Sequence, residues 1–322
     1  MKSNRSDILD WVDQGRIPND KLRDALSVAE VLPQADDWRR FLDRMFLFMG
    51  VVLLAAGVIF FFAFNWQGLG RFAKFALAEV PIIAALAVVW RLGVDSIAGK
   101  ATLLFVSLLT GALLALVGQT YQTGADTVEL FAVWAVAILP WVLVARFPAL
   151  WIVWLALVNV AASLALMTFR NRWSIVYTPD KLMWVLFELN TVALIIWECL
   201  AVAGLKWLRE RWSVRIIATA SGGLITALAF EDIVDGRYTS HWGWPLWLGW
   251  IFAAYFAYRH WIRDVYVLAV GVLSVIVIIA TLIVNSMGSA DAGLFLLVGL
   301  LIIGLSAAGG YWLKQVAKEE ES

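Results

Sequence analysis

Ten apolar runs dictate what this chain can become. They are Met45–Asn65, Ala73–Trp90, Ala101–Gln119, Val128–Val144, Ala149–Met167, Met183–Ala203, Ile216–Phe230, Trp244–Tyr258, Val265–Val284 and Gly293–Leu313. Most have the roughly 17–25 residues that carry a helix across about 30 Å of hydrocarbon. A backbone surrounded by lipid must satisfy its own N–H and C=O groups, so such runs span as helices. The seventh and eighth runs are the shortest. The expected fold class is therefore all-α: a polytopic α-helical membrane protein with about ten transmembrane helices. The organisation expected is a small cytoplasmic helical module over residues 1–44, spans one to five over 45–167, and spans six to ten with a short tail over 168–322.

Composition points the same way. The chain is 62% hydrophobic and 16% charged, where a soluble domain has roughly 45–50% and about 25%. Net charge is zero, so no nucleic-acid partner is expected. One cysteine and two histidines make a His/Cys metal site an unpromising expectation, and no cofactor is expected.

The first forty residues are polar, without the pattern of a cleaved secretory leader. Ser6–Gln14 carries Ile8, Leu9, Trp11 and Val12, with Gly15 as a stop signal. Pro18 and Asn19 open a second helix whose Leu22, Ala25, Leu26, Ala29 and Leu32 form one apolar stripe. Pro33 ends it, and Asp36 or Asp37 can cap the helix that leads into the first span. Too short to hold a large core, this module is expected to pack on itself, on cytoplasmic loops or on a protein partner.

The basic residues sort by side. Arg71, Lys74, Arg170, Arg172, Lys181 and Arg237 fall on one side of the ten-span arrangement, and the other nineteen on the opposite side. The positive-inside rule then places both termini in the cytoplasm. Trp66, Trp90, Trp173, Trp207, Trp242, Trp244 and Trp312 fall near span ends, as an interfacial aromatic belt requires. Trp134, Trp141, Trp151 and Trp154 line the fourth and fifth spans, which only Arg146, Phe147 and Pro148 separate.

Between the third and fourth spans lies a polar island, Leu116–Glu129, with Gln119, Tyr121, Gln122, Asp126 and Glu129. Intramembrane acids are costly and default to functional hypotheses. Glu79 lies six residues into the second span, roughly 9 Å deep at helical rise, and Glu188 lies at a similar depth in the sixth. With Asn65 and Asn190 they share the side of the island. One reading is an outward-facing cavity for a cation, a proton or a polar headgroup. The other is structural: Glu79 pairs with Lys74 or Arg71, Glu188 sits at a wet helix end, and the island is a hydrogen-bonded loop. Glu198, near the inner end of the sixth span, reads as a snorkelling or Lys206-paired acid.

Several motifs in the first half carry a family resemblance. They are Asn65-Trp66 after the first span, Gly118-Gln119-x-Tyr121 in the third, and Trp11, Gly15 and Ile17 near the amino terminus. Over about residues 8–167 the chain resembles the bacterial membrane proteins grouped as domain of unknown function 2157. That resemblance implies a bacterial cytoplasmic-membrane protein with an amino-terminal cytoplasmic helical module, and no activity.

Walker, Rossmann, HExxH and Gly-x-Ser-x-Gly patterns are absent from the sequence, and no enzyme is expected. Two functions remain open. One is transport or binding of a small cation or a polar or lipid ligand through the polar cluster. The other is a non-catalytic assembly subunit of an envelope complex, with the bilayer and a partner of the amino-terminal module as its contacts.

Overall fold

A computed structural model describes residues 4–29, 31–65, 68–121, 126–169, 179–234, 242–287 and 292–321. Twelve α-helices and no strand occur among them. They are α1 (Asn4–Asp13), α2 (Leu22–Val28), α3 (Ala35–Asn65), α4 (Arg71–Leu92), α5 (Ile97–Tyr121), α6 (Thr127–Ala145), α7 (Pro148–Thr168), α8 (Pro179–Val202), α9 (Arg211–Val234), α10 (Gly243–Phe256), α11 (Val265–Met287) and α12 (Ala292–Glu321). Among the described residues, nine helices are long and apolar enough to cross a membrane: α3 to α9, α11 and α12.

Besides the short α1 and α2, the exception is α10. Its 14 residues continue into a π-helical turn, Ala257–Trp261. Together these 19 residues reach about 28 Å at helical rise, close to the hydrocarbon thickness. The short seventh run, by contrast, lies inside a 24-residue helix, α9. Its polar flanks, Arg211–Arg215 and Glu231–Val234, continue the helix where hydropathy alone ends it.

Gly15 and Pro148 act as their chemistry requires, and Arg146 takes a conformation that non-glycine residues rarely adopt. Gly15 takes φ +69 and closes α1, and the Arg16 and Ile17 amides both donate to the Trp11 carbonyl. Arg146 adopts a left-handed conformation (φ 46, ψ 46) as the C-cap of α6, and Pro148 is the first residue of α7. Proline's missing N–H costs nothing at a helix start. Pro81 and Pro140 lie within α4 and α6. α3 runs for 31 residues without a break, so the helix that begins at Ala35 is also the first span.

Two compact units divide the chain. One holds Ala35–Tyr177 and Leu200–Ser213; the other holds Met1–Gln34, Thr178–Cys199 and Val214–Ser322. In the first, α5 packs against α3, α4 and α6, and α6 packs against α7. Ile138, Val142, Ala145 and Leu150 are fully buried at the α6–α7 hairpin. Trp134, Trp141, Trp151 and Trp154 pack onto the same cluster. The Trp134 indole N–H donates to the Ser107 carbonyl at 2.8 Å, and that of Trp154 to the Ala135 carbonyl at 3.1 Å. Trp207 stacks on Trp151, an internal role in addition to the interfacial one its position suggested.

In the second unit, hydroxyls and indoles join the helices. Trp250 on α10 donates to Ser221 Oγ on α9 at 3.0 Å, and Ser221 Oγ lies 2.7 Å from Thr191 Oγ1 on α8. One turn earlier, Trp247 donates to Ser274 Oγ on α11 at 2.7 Å, and Ser274 Oγ lies 2.6 Å from Thr226 Oγ1 on α9. Side-chain hydrogen bonds of this kind hold membrane helices together where the surrounding hydrocarbon supplies no hydrophobic drive.

Candidate functional site

The polar island is split by the helix boundary. α5 carries Gln119 and ends at Tyr121, and α6 begins at Thr127 with Asp126 as its N-cap residue. Gln122 lies outside the described residues. Asp126 has extended backbone angles (φ −67, ψ 155) and no side-chain cap bond. Its carbonyl accepts the Glu129 amide at 2.9 Å. Asp126 and Glu129 thus stand at the positive end of the α6 dipole, which favours carboxylates.

Between the end of α5 and the start of α6 lies a groove of about 410 Å³. Gln119, Asp126, Thr127 and Glu129 line it together with Leu114, Val117, Leu130 and Val133. Apolar walls with a few convergent polar groups are the usual make-up of a small-ligand site. The Gln119 amide offers donors and an acceptor, and the two carboxylates offer only acceptors. All three side chains are exposed. Thr127 joins the lining although the sequence reading did not single it out; its only signal there was its place beside Asp126.

Tyr121 adjoins this groove without lining it. The Arg71 guanidinium lies 4.5 Å from its ring centroid, a cation–π geometry, and Phe75 meets the same ring at 6.0 Å. The phenol therefore ties the start of α4 to the end of α5. Thr120 Oγ1 is enclosed and makes no hydrogen bond among the described residues.

The remaining candidates are not among the residues that line this groove. Asn65 is the last residue of α3. Glu79 is exposed on α4, two residues before Pro81. Glu188 and Asn190 belong to α8 in the other unit. Glu188 is exposed there, whereas Asn190 is buried and its amide donates to the Leu186 carbonyl of its own helix at 2.7 Å. The groove thus brings together Gln119, Asp126 and Glu129 from the set expected.

A polar contact absent from the sequence reading lies in the second unit. Glu198, 8% exposed on α8, accepts the Tyr258 hydroxyl at 2.9 Å. Tyr258 sits in the π-helical turn and is itself buried. Sixty positions separate the two residues, so no local pattern pairs them. The π turn adds a residue to the helical register and brings the phenol to that carboxylate; single-turn π segments often occur at functional positions.

Among the described residues, no group of three or more His, Cys, Asp or Glu is placed to hold a metal ion. Residues 9–151 match the model of a family described as Predicted membrane protein (DUF2157). The matched segment runs from α1 into the first turn of α7 and contains the whole α5–α6 groove. No curated protein matches the chain, and no solved structure does.

Proposed function

We propose that this multi-helix membrane protein, whose residues 9–151 match the DUF2157 family, binds a small cation or a polar ligand group in the α5–α6 groove, as a transporter or sensor and not as an enzyme. The observation that carries this reading is the meeting of Gln119, Asp126 and Glu129 in one apolar-walled groove. Two exposed carboxylates attract positive charge, and the Gln119 amide can orient a polar group between them. In this reading the protein lies in the bacterial cytoplasmic membrane with both termini inside and the groove outside, in keeping with its basic-residue bias.

The test is a thermal-shift series on the detergent-purified full chain with sodium, potassium, magnesium and calcium salts and with phosphoethanolamine. Asp126→Asn and Glu129→Gln are measured alongside. Asparagine is itself a favoured N-cap residue, so the first variant keeps α6 intact. A ligand present at a hundred times its Kd stabilises the wild type by about 2.7 kcal/mol. Both variants should lose most of that shift. A flat wild-type response, or an equal shift in all three proteins, removes the reading.

A second reading, an assembly subunit, draws on a different feature. The amino-terminal module has an open groove of about 560 Å³ lined by Ile8, Trp11, Ile17, Pro18, Ala25 and Val28, with Val28 83% exposed. An exposed apolar patch of this kind suits a protein contact. Partner capture that is lost on Trp11→Ala and Val28→Asp, with no ligand response in the groove variants, would favour it.

A further inference from the structure

A second cavity lies in the other unit, on the flank of α10, α11 and α12. It has a volume of about 300 Å³, and Ala254, Tyr255, Leu268, Gly271, Ala308 and Trp312 are among its lining residues. Small side chains on all three helices keep it open. A Cβ added at Gly271 would find its nearest neighbour, Ile251 Cδ1, 4.0 Å away.

Its surroundings and its length bear on what fills it. α11 and α12 are both long and apolar enough to span. Beside the lining residues, Phe252 on α10, Leu273 on α11 and Tyr311 on α12 are each more than 60% exposed. A surface of that kind is stable against hydrocarbon, so the medium at the mouth of the cleft is lipid. Along α11 the lining runs from Val267 to Ile276, about 14 Å at helical rise. That is roughly half of the 30 Å hydrocarbon core, the depth of one leaflet. An apolar cleft left empty would forfeit dispersion contacts on every wall.

One end of the cleft is marked chemically. Tyr255 stacks on Trp312 at 6.1 Å, and the His260 ring meets Tyr255 at 5.9 Å and Phe256 at 4.9 Å. This aromatic end adjoins the α10–α11 turn, where polar-tipped rings suit the headgroup level. The nearby acids Asp264 and Glu319 are held by Arg215 and Arg259. Arg263 and Lys314 are exposed there, as is Lys318 ahead of the acidic terminal residues. The charge at this end is complementary to a phosphate.

We propose that the α10–α11–α12 cleft is a binding site for one acyl chain of an anionic phospholipid, whose phosphate lies at the basic end formed by Arg263 and Lys314. This site is separate from the α5–α6 groove and does not depend on it.

The experiment uses the full chain in phosphatidylcholine vesicles doped with phosphatidylglycerol that carries a diazirine on its acyl chain. After irradiation, labelled residues are mapped, and the reading is the ratio of label at the lining residues of Val267–Ile276 and Leu305–Trp312 to label at their outward-facing neighbours Phe252, Leu273 and Tyr311. The expected ratio is well above one. It should fall when unlabelled phosphatidylglycerol replaces phosphatidylcholine at a fixed probe fraction, which tests saturation in the wild type without any variant. Gly271→Leu and Ala308→Leu, which fill the cleft, should abolish the enrichment, and Gly299→Leu, which lies off the cleft, should leave it. Arg263→Gln should lower it about fivefold, as expected for one basic residue near an anionic surface, and a diazirine phosphatidylcholine should show a comparable deficit. Even labelling of cleft and outer face, or enrichment that survives both filling variants, overturns the site. Equal enrichment with phosphatidylcholine overturns the anionic assignment.

Discussion

Single residues carry the polar chemistry of this protein, and their partners decide their roles. Glu198 could be read from the sequence only as an acid near the inner end of a span. Its partner Tyr258 comes from the π turn after α10. Removing one partner of a buried hydrogen bond costs about 1–3 kcal/mol, so Tyr258→Phe should destabilise the protein by roughly that amount. Tyr255→Phe, one turn earlier and more exposed, should change stability much less. Chemical denaturation of both variants in the same detergent checks this, and equal stability of wild type and Tyr258→Phe would mean that the contact carries no net weight. For the α5–α6 groove the residue types were legible, because Gln119, Asp126 and Glu129 interrupt apolar runs. Their convergence was not legible, since it depends on how α5 ends and α6 begins.

Helices pack here through close approaches that glycine permits. Gly111 on α5 faces the Trp134 indole of α6 so closely that an added Cβ would overlap the ring. That ring is fixed by its bond to the Ser107 carbonyl and cannot retreat freely. Overpacking of a tight contact costs about 1–3 kcal/mol; Gly111→Ala should destabilise by that much. Gly223→Ala, on a helix position open to space, should be neutral or slightly stabilising. Comparing their thermal unfolding midpoints checks the pair. A second element-level device is the start of α10. The Asp232 carboxylate accepts the Gly243 amide at 2.6 Å and the Trp244 amide at 3.3 Å, capping α10 from α9. Asp232→Ala should cost about 0.5–2 kcal/mol, and Asp232→Asn less. Hydrogen exchange should localise the loss to the first turn of α10. The sequence marked α10 only as a short apolar run, because its cap comes from another helix and its length is completed by a turn of different hydrogen-bond register.

That same element governs the arrangement of the whole chain in the bilayer. Nine described helices are long enough to cross on their own, and α10 with its π turn comes close to the length that a tenth would need. If it crosses, both termini lie on one side; if it does not, they lie on opposite sides. Cysteine labelling in a Cys199→Ser background decides between these. A membrane-impermeant maleimide on intact cells should react with Thr127→Cys, and with Gln14→Cys and Lys318→Cys only after permeabilisation. Labelling of Lys318→Cys from outside would leave the termini on opposite sides and remove α10 as a span.

The sequence by itself determined the all-helical, membrane-embedded architecture, because each apolar run must satisfy its own backbone in hydrocarbon whatever its neighbours do. It also marked the closing of α1 at Gly15 and the start of α7 at Pro148, where a residue's own backbone preferences suffice. Tertiary structure alone decided which hydroxyl meets which indole, that Tyr258 reaches Glu198, and that three small residues from three helices leave one cleft open. These contacts join positions tens of residues apart, and their energies exist only once the helices have packed.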